Sequence, residues 1–431
     1  MRVLAVSFLA LLVACGGSGT DGETPDPVDP EVCDGIDNDG DGLVDQEDDD
    51  LQAAGALGVY YPDMDGDGFG DPDAGRLLCE EVPGWIEDST DCDDARPRVH
   101  PGATERCDGF DNDCDEATPD EGVAFESEDG EITDLTEAIT SSAAPYLIDA
   151  NTSGVYTFCP GTWTIGALTV ADGEDVQVVG IGGPEAVTLT GGYQTLTLGA
   201  FSTVELRDLS MVGHTGDNGA AVSCPADAEL TVEGVVFEGN DSTISGGTMS
   251  IGDGCEATLT NTRFVDAASG VGGGHLTIFG GEVEATDCEF LDGVSHGGGA
   301  VFVNALGATT PASFTCTRCA LQGNTAESGG ALQVVESTAT LIESAVMGNT
   351  ATNGGGGIAV GAGPGQAASV TLTTVSFDDN QLVGGPDAQG TSVLAGGLIS
   401  VDPYEPVSFA YDYEGSTQTV VCDAFTGCAA P

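Results

Sequence analysis

The sequence predicts an all-β protein, a parallel β-helix over residues 123–431 preceded by a small, loop-dominated Asp-rich module. Three observations predict it. A four-residue element recurs in one frame: Phe237-Glu-Gly-Asn240, Leu321-Gln-Gly-Asn324, Val346-Met-Gly-Asn349 and Phe377-Asp-Asp-Asn380, with Met211–His214, Phe264–Ala267 and Phe290–Gly293 as further copies. Successive copies lie 26, 27, 26, 31, 25 and 31 residues apart, and glycine clusters such as Gly272 to Gly274 and Gly354 to Gly357 follow most of them. Before residue 122, one cassette places carboxylates at every second position: Asp37-Asn-Asp39-Gly-Asp41, Asp63-Met-Asp65-Gly-Asp67 and Asp111-Asn-Asp113-Cys-Asp115.

Each repeat offers an apolar strand ending in Asn, a glycine turn, a second apolar strand and a Leu-Thr strand. Three short strands per repeat make one coil of a solenoid. Stacked at about 4.8 Å per coil, like residues form ladders, so the Phe and Asn positions are expected in the core and not among ligands. Cys288 and Cys319 occupy the same slot in successive repeats and are expected to be neighbours between coils and candidates for a disulfide.

Composition narrows the function. Eight Arg and no Lys stand against 72 acidic residues, a formal charge of −64. That balance excludes nucleic acid and anionic membrane as partners, since both require a basic footprint. Of the 72 acids, 37 lie between Asp21 and Asp129, which suits cation binding near the N-terminus.

Residues 1–14 read as an export signal: Arg2, then a short apolar run too short to span a bilayer. The run ends Leu12-Val13-Ala14-Cys15 before Gly16-Gly17-Ser18-Gly19. This resembles a bacterial lipobox, which implies lipidation of Cys15 and tethering to a membrane, most simply the outer membrane, with the protein exposed at the surface. Residues 15–31 form a flexible linker, and 32–122 the Asp-rich module.

Export permits disulfides. Cys107 and Cys114 are placed to close the third Asp loop, and Cys422 and Cys428 to close a C-terminal loop. The 13 cysteines beyond Cys15 leave at least one over. Cys33 is the first suspect because Gly40 stands where Cys114 stands in the matching cassette; Cys79 and Cys92 are its alternative partners.

Crowded carboxylates call for a hard cation, and Ca²⁺ takes six to eight oxygens. Measured against an EF-hand-like loop, the first cassette supplies Asp37, Asp39, Asp41, the Leu43 carbonyl, Asp45 and Asp48, filling every slot. The second supplies Asp63, Asp65, Asp67, the Phe69 carbonyl and Asp71, but Ala74 stands at the last position. The third offers Asp111, Asp113 and Asp115, then Glu116 where Gly belongs. Copper would rest on Trp85 and His100 alone and prefers softer ligands. His100, His214, His275 and His296 are expected on the surface or in turns.

Residues 32–116 resemble the metal-binding motif named for the MopE copper protein, through Cys33-Asp-Gly-Ile-Asp-Asn-Asp, Tyr60 to Asp71, Asp91-Cys-Asp-Asp94 and His100 to Cys114. Gly40 departs from the Cys usual in that family. Gly329-Gly330-Ala331, Phe377-x-x-Asn380 and Phe158-Cys-Pro-Gly-Thr-Trp163 resemble polymorphic outer-membrane proteins and pectin-lyase-like repeat proteins. The resemblance implies a right-handed parallel β-helix. The expected function is a lipid-anchored, surface-exposed, adhesin-like binding or structural protein with a calcium-stabilised stalk, its partner a glycan or a protein and no residue catalytic. The alternative is a polysaccharide lyase or glycosidase on the same anchor. For that role, Glu282, Glu284, Asp287, Glu289 and Asp292 are the available acids, and Arg207, Arg263 and Arg318 the available cations.

Overall fold

A computed structural model describes residues 30–118, 121–142, 144–225, 227–361 and 367–383, then strand segments 391–392, 399–401, 407–413, 416–423 and 427–429. Cys15 lies outside them. Two compact units are present: the described residues up to Ala103 with Asn112–Asp115, and Thr104–Asp111 with everything from Glu116 onward. Among the described residues no helix is long and apolar enough to cross a membrane.

The first unit has little regular structure. A helix, Asp49–Ala54, follows the first Asp loop, and strand Gly58–Pro62 pairs antiparallel with Arg76–Leu78 and Trp85–Ile86. Leu51, Tyr60 and Val99 are its buried large apolar side chains. So small a core does not hold a fold unaided. The disulfides Cys33–Cys79 and Cys92–Cys114 supply covalent closure.

The second unit is a parallel β-solenoid. Val123–Ser127 and Ile132–Asp134 open it as antiparallel strands, and from Gly154–Phe158 the ladders are parallel. Antiparallel strands return at the end, where Val407–Tyr413 pairs with Ser416–Asp423 and that strand with Gly427–Ala429. Three long ladders run through it. One stacks Asp175–Gly180, Thr203–Arg207, Glu229–Glu233 and their successors to Ser369–Thr373. The second carries the four-residue repeats, with Met211, Phe237, Phe264, Phe290, Leu321, Val346 and Phe377 in one register. The third runs from Leu196–Thr197 to Ile358–Gly361. The frame read from the sequence is the register of the structure.

Alternation makes each strand bury one face: Leu230, Val232, Ala257, Leu259, Val283 and Ala285 are inside, while Glu229, Thr231, Glu256 and Glu282 are outside. Phe237, Phe264 and Phe290 stack with centroids 5.0 and 4.8 Å apart. Corners between ladders are single residues in the left-handed region. Asp208, Asn261, Asp287, Arg318 and Glu343 hold one corner, and Asp266, Asp292 and Gly348 another. Asp and Asn tolerate that conformation better than most residues, and a one-residue corner keeps each coil short.

Asn240, Asn324, Asn349 and Asn380 are buried and form amide bridges between coils. Each Nδ2 donates to a carbonyl of the preceding coil: Met211, Phe290, Leu321 and Val346 respectively. Asn324 and Asn349 also donate to the Oδ1 of the next Asn, at 2.9 and 2.8 Å. His214 does the same work in the first copy, its Nε2 3.1 Å from the Leu189 carbonyl and its N–H donating to Asn240 Oδ1. Where Ala267 and Gly293 interrupt the Asn run, the imidazole of His275 enters the core. A Cβ on Gly293 would meet that ring at 2.7 Å, so glycine is what admits it.

His214 and His275 are therefore not surface residues: both are fully buried. Burial pushes each imidazole down to about 4, against carbonyl hydrogen bonds that oppose the shift. Below pH 6.5 the unfolded chain takes up protons that the fold refuses, so stability present at neutral pH is lost as pH falls toward 4. Between pH 7 and 5 the expected loss is about 2 kcal/mol per histidine. Urea melts of wild type and His275→Gln across this range check it, and the variant is expected to show the smaller slope.

Three thiol expectations require correction. Cys107 does not pair with Cys114. It bonds Cys159 in the solenoid's first coil, while Cys114 bonds Cys92. The reason is that residues 104–111 fold with the solenoid and 112–115 with the first unit. Cys288 and Cys319 share a slot but not a bond. Cys316 points inward just before the corner at Arg318, which brings its Cα within 5.9 Å of Cys319 Cα. That local partner wins, and Cys288 is left as a buried free thiol, pushed up to about 11 by burial and therefore unreactive. Nor is Cys33 the odd cysteine, since it bonds Cys79. Cys422 and Cys428 face each other in antiparallel backbone register; their side chains lie outside the described residues.

Candidate metal centre

The Asp-x-Asp-x-Asp spacing folds locally because each carboxylate can accept a backbone N–H two or three residues on. In the first loop, Asp37 accepts from Gly40 and Gly42, Asp39 from Asp41, and Asp41 from Leu43. In the second, Asp63 accepts from Gly66, Asp65 from Asp67, and Asp67 from Phe69. One oxygen of each carboxylate is thereby fixed, and in Asp37 both are.

The two loops are completed in the same way, by acids from outside the cassette. Carboxylate oxygens of Asp37, Asp39 and Asp41 lie within 4.8 Å of one another, and Asp39 belongs to a second triad with Glu31 and Asp48. Oxygens of Asp63, Asp65 and Asp67 likewise gather within 4.8 Å, and Asp65 belongs to a second triad with Asp91 and Asp94. Sequence spacing missed Asp91 and Asp94 as ligands because they are remote from the loop they complete, and Glu31 because it precedes the first loop and falls outside an EF-hand-like frame. The signal available was Asp91-Cys-Asp-Asp94, an Asp cluster with no loop of its own.

Spacing ranks the first loop above the second, and the second has the larger group of sealed carboxylate oxygens. Asp91 is 1 % exposed, and its Oδ2 has no hydrogen-bond partner; the Oδ2 atoms of Asp65, Asp67 and Asp94 are also sealed from solvent and unpartnered. A buried carboxylate oxygen without a donor is costly, and four such oxygens spread over two triads that share Asp65 form an arrangement a cation relieves. Burial holds the Asp65 and Asp91 carboxyls above the usual range, partly opposed by backbone N–H donors and reinforced by the neighbouring carboxylates. In the first loop both oxygens of Glu31 already accept N–H groups, from Asn38 and Asp45. Asp39 gains from the Asp41 N–H, but burial and the charges of Asp41, Asp48 and Asp37 outweigh it and raise its carboxyl.

Other expected ligands have different work. Asp45 turns its Oδ1 to the N–H groups of Asp34 and Gly35, so Glu31 stands beside Asp39 and Asp48 in its place. Asp71 accepts the Asp73 N–H. The third cassette is divided, Asp111 folding with the second unit and Asp113 and Asp115 with the first, where Asp113 accepts the Asp115 N–H. The sulfurs of Cys92 and Cys114 lie near Asp91, but as a disulfide they are not thiolate ligands. His100 stacks flat on Phe69 at 4.9 Å, and Arg76 sits 5.2 Å over Trp85. The converging donors are oxygens, a set that suits a hard cation.

On the solenoid, two of the five acids weighed for catalysis are engaged in exposed ion pairs between coils: Asp287 with Arg318 at 2.7 Å and Glu289 with Arg263 at 3.0 Å.

No curated protein matches the chain. Among solved structures, the crystal structure of a TibC-catalyzed hyper-glycosylated TibA55-350 fragment matches at 14 % identity, covering 61 % of this chain and 97 % of that one. Its TM-score of 0.16 carries no argument about fold or function. The family model Cu-binding_MopE, described as "Putative metal-binding motif", matches residues 24–46 and 91–120. Those segments contain Glu31, Asp39, Asp91 and Asp94, so the chain carries this metal-binding motif in two pieces, and each piece supplies acids to one of the loops.

Proposed function

We propose that the protein is an exported, lipid-anchored, non-enzymatic binding protein of the bacterial cell surface, in which Ca²⁺ consolidates the N-terminal unit and the solenoid presents a binding flank. The observation that carries the calcium reading is the group of four sealed, unpartnered carboxylate oxygens on Asp65, Asp67, Asp91 and Asp94. Asp63, Asp65, Asp67, Asp91 and Asp94 would hold the ion, which supplies the positive charge that buried carboxylates require. Asp91 and Asp94 then join a loop to a segment more than 20 residues away, so ion binding and folding of this core-poor unit are coupled. Cys15, followed by a glycine-rich linker, supports the anchor. The solenoid's regular ladders support a rigid scaffold for a partner.

The test uses the full chain. After EGTA treatment, calcium is expected to raise the first unit's unfolding temperature and protect it from protease, whereas magnesium and copper(II) are not. No calcium effect would sink the metal reading. In cells, Cys15→Ser is expected to abolish labelling by a fatty-acid probe and release the protein; unchanged labelling would sink the anchor.

A further inference from the structure

The third ladder carries an uncharged groove on its outer face. Thr197, Ser223, Ser250 and Thr277 stand in one register across successive coils, and Phe302 follows in the same column. Thr197, Ser250 and Phe302 are half-buried, whereas Ser223 and Thr277 are buried and Thr277 Oγ1 accepts the Gly273 N–H. The neighbouring short strands Thr215–Asn218 and Asp241–Ser245 form the flank, and the groove measures about 640 Å³. Its lining contains no Asp, Glu, Arg, Lys or His, in a chain where 72 of 431 residues are acidic. A groove at the start of the solenoid, by contrast, is lined by Glu126, Glu128, Asp175 and Glu205.

We propose that this groove binds a neutral, extended oligosaccharide. Phe279 is 38 % exposed and Val271 61 % exposed, so the groove keeps apolar surface in water, including a ring against which the C–H face of a sugar can lie. Polar groups are fixed beside it. Gln194 Nε2 donates to the Asn218 carbonyl and Ser245 Oγ to Asn218 Oδ1, which leaves Gln194 Oε1 and Asn218 Nδ2 for sugar hydroxyls. Asn304 Oδ1 accepts the Leu306 N–H, leaving its Nδ2 in the same role. Coil spacing of about 4.8 Å places the half-buried Thr197 and Ser250 two coils apart, nearly the length of two rings of an extended pyranose chain. The charge pattern selects the class: an acidic glycan would meet the field of a −64 chain with no basic residue in the groove, whereas a neutral one has nothing to lose.

This deepens the binding-protein reading and rests on it. The test is calorimetric titration of the full chain with cellohexaose, chitohexaose and mannohexaose as neutral probes, and with polygalacturonate and alginate oligomers as acidic ones. At least one neutral hexamer is expected to bind with little salt dependence. Phe279→Ala and Val271→Asp, both at exposed positions, are each expected to weaken it about tenfold or more. Binding of acidic oligomers alone, of none of the neutral probes, or equal binding by both variants overturns the proposal. So does a concentration-dependent dimer that Val271→Asp dissolves, which would assign the groove to a second copy. Product analysis of the same mixtures separates the two readings. Shortened oligomers overturn the non-enzymatic function while the groove stands, and intact oligomers without groove binding overturn the groove alone.

Discussion

Asp91→Asn is expected to make the calcium-free protein more stable and to remove the stabilisation that calcium confers. Asp91 is buried with an unpartnered oxygen and shares a triad with Asp65 and Asp94. Without a cation, neutralising it relieves both desolvation and like-charge repulsion, so unfolding in EGTA moves upward. With calcium, the wild-type unit gains about 2.7 kcal/mol when the ion is at a hundredfold excess over Kd, and the variant loses most of that gain. The two effects have opposite signs, and a purely structural role for Asp91 would not produce both. Asp71→Asn, outside the triads, serves as control and is expected to keep the calcium response. Thermal unfolding of the three proteins in EGTA and in calcium measures all six quantities; a calcium increment that survives in Asp91→Asn would refute the assignment.

The second large effect lies in the solenoid. Asn349→Leu is expected to destabilise it by about 3–5 kcal/mol. The amide accepts from the N–H and Nδ2 of Asn324 and donates to the Leu321 carbonyl and Asn380 Oδ1, all within 2.8–2.9 Å. Leucine fills the space but leaves the buried Asn324 N–H and Leu321 carbonyl of the preceding coil unpaired, which costs more than the lost bonds alone. Val346→Ala, on the strand Ala345–Met347 that leads into Asn349, removes apolar volume without orphaning a polar group and is expected to cost less. Chemical denaturation measures the loss, and amide exchange at Asn324 and Asn349 localises it. A Leu variant no worse than Val346→Ala would show that the ladder is dispensable.

The solenoid was legible in the sequence because its information is periodic. Phe237, Phe264 and Phe290 mark one position of successive coils, and parallel stacking converts that spacing directly into register. Even the departures can be read once the frame is known: His214 takes the place of Asn, and Gly293 makes room for His275. Burial of the two histidines was not legible, because a lone polar residue carries no period and its direction depends on which copies lack Asn.

The chain by itself determined the local parts of this protein: the coil length, the inward and outward faces of each strand, and the Asx-turned carboxylate loops. Those follow from interactions over a few residues or from exact repetition. Tertiary structure decided what joins to what across unrelated segments. It chose Cys159 for Cys107, Cys92 for Cys114 and Cys316 for Cys319, and it brought Glu31 to the first loop and Asp91 and Asp94 to the second. Such partners are selected by proximity and direction in the folded chain, and a non-repeating loop module encodes neither in its spacing.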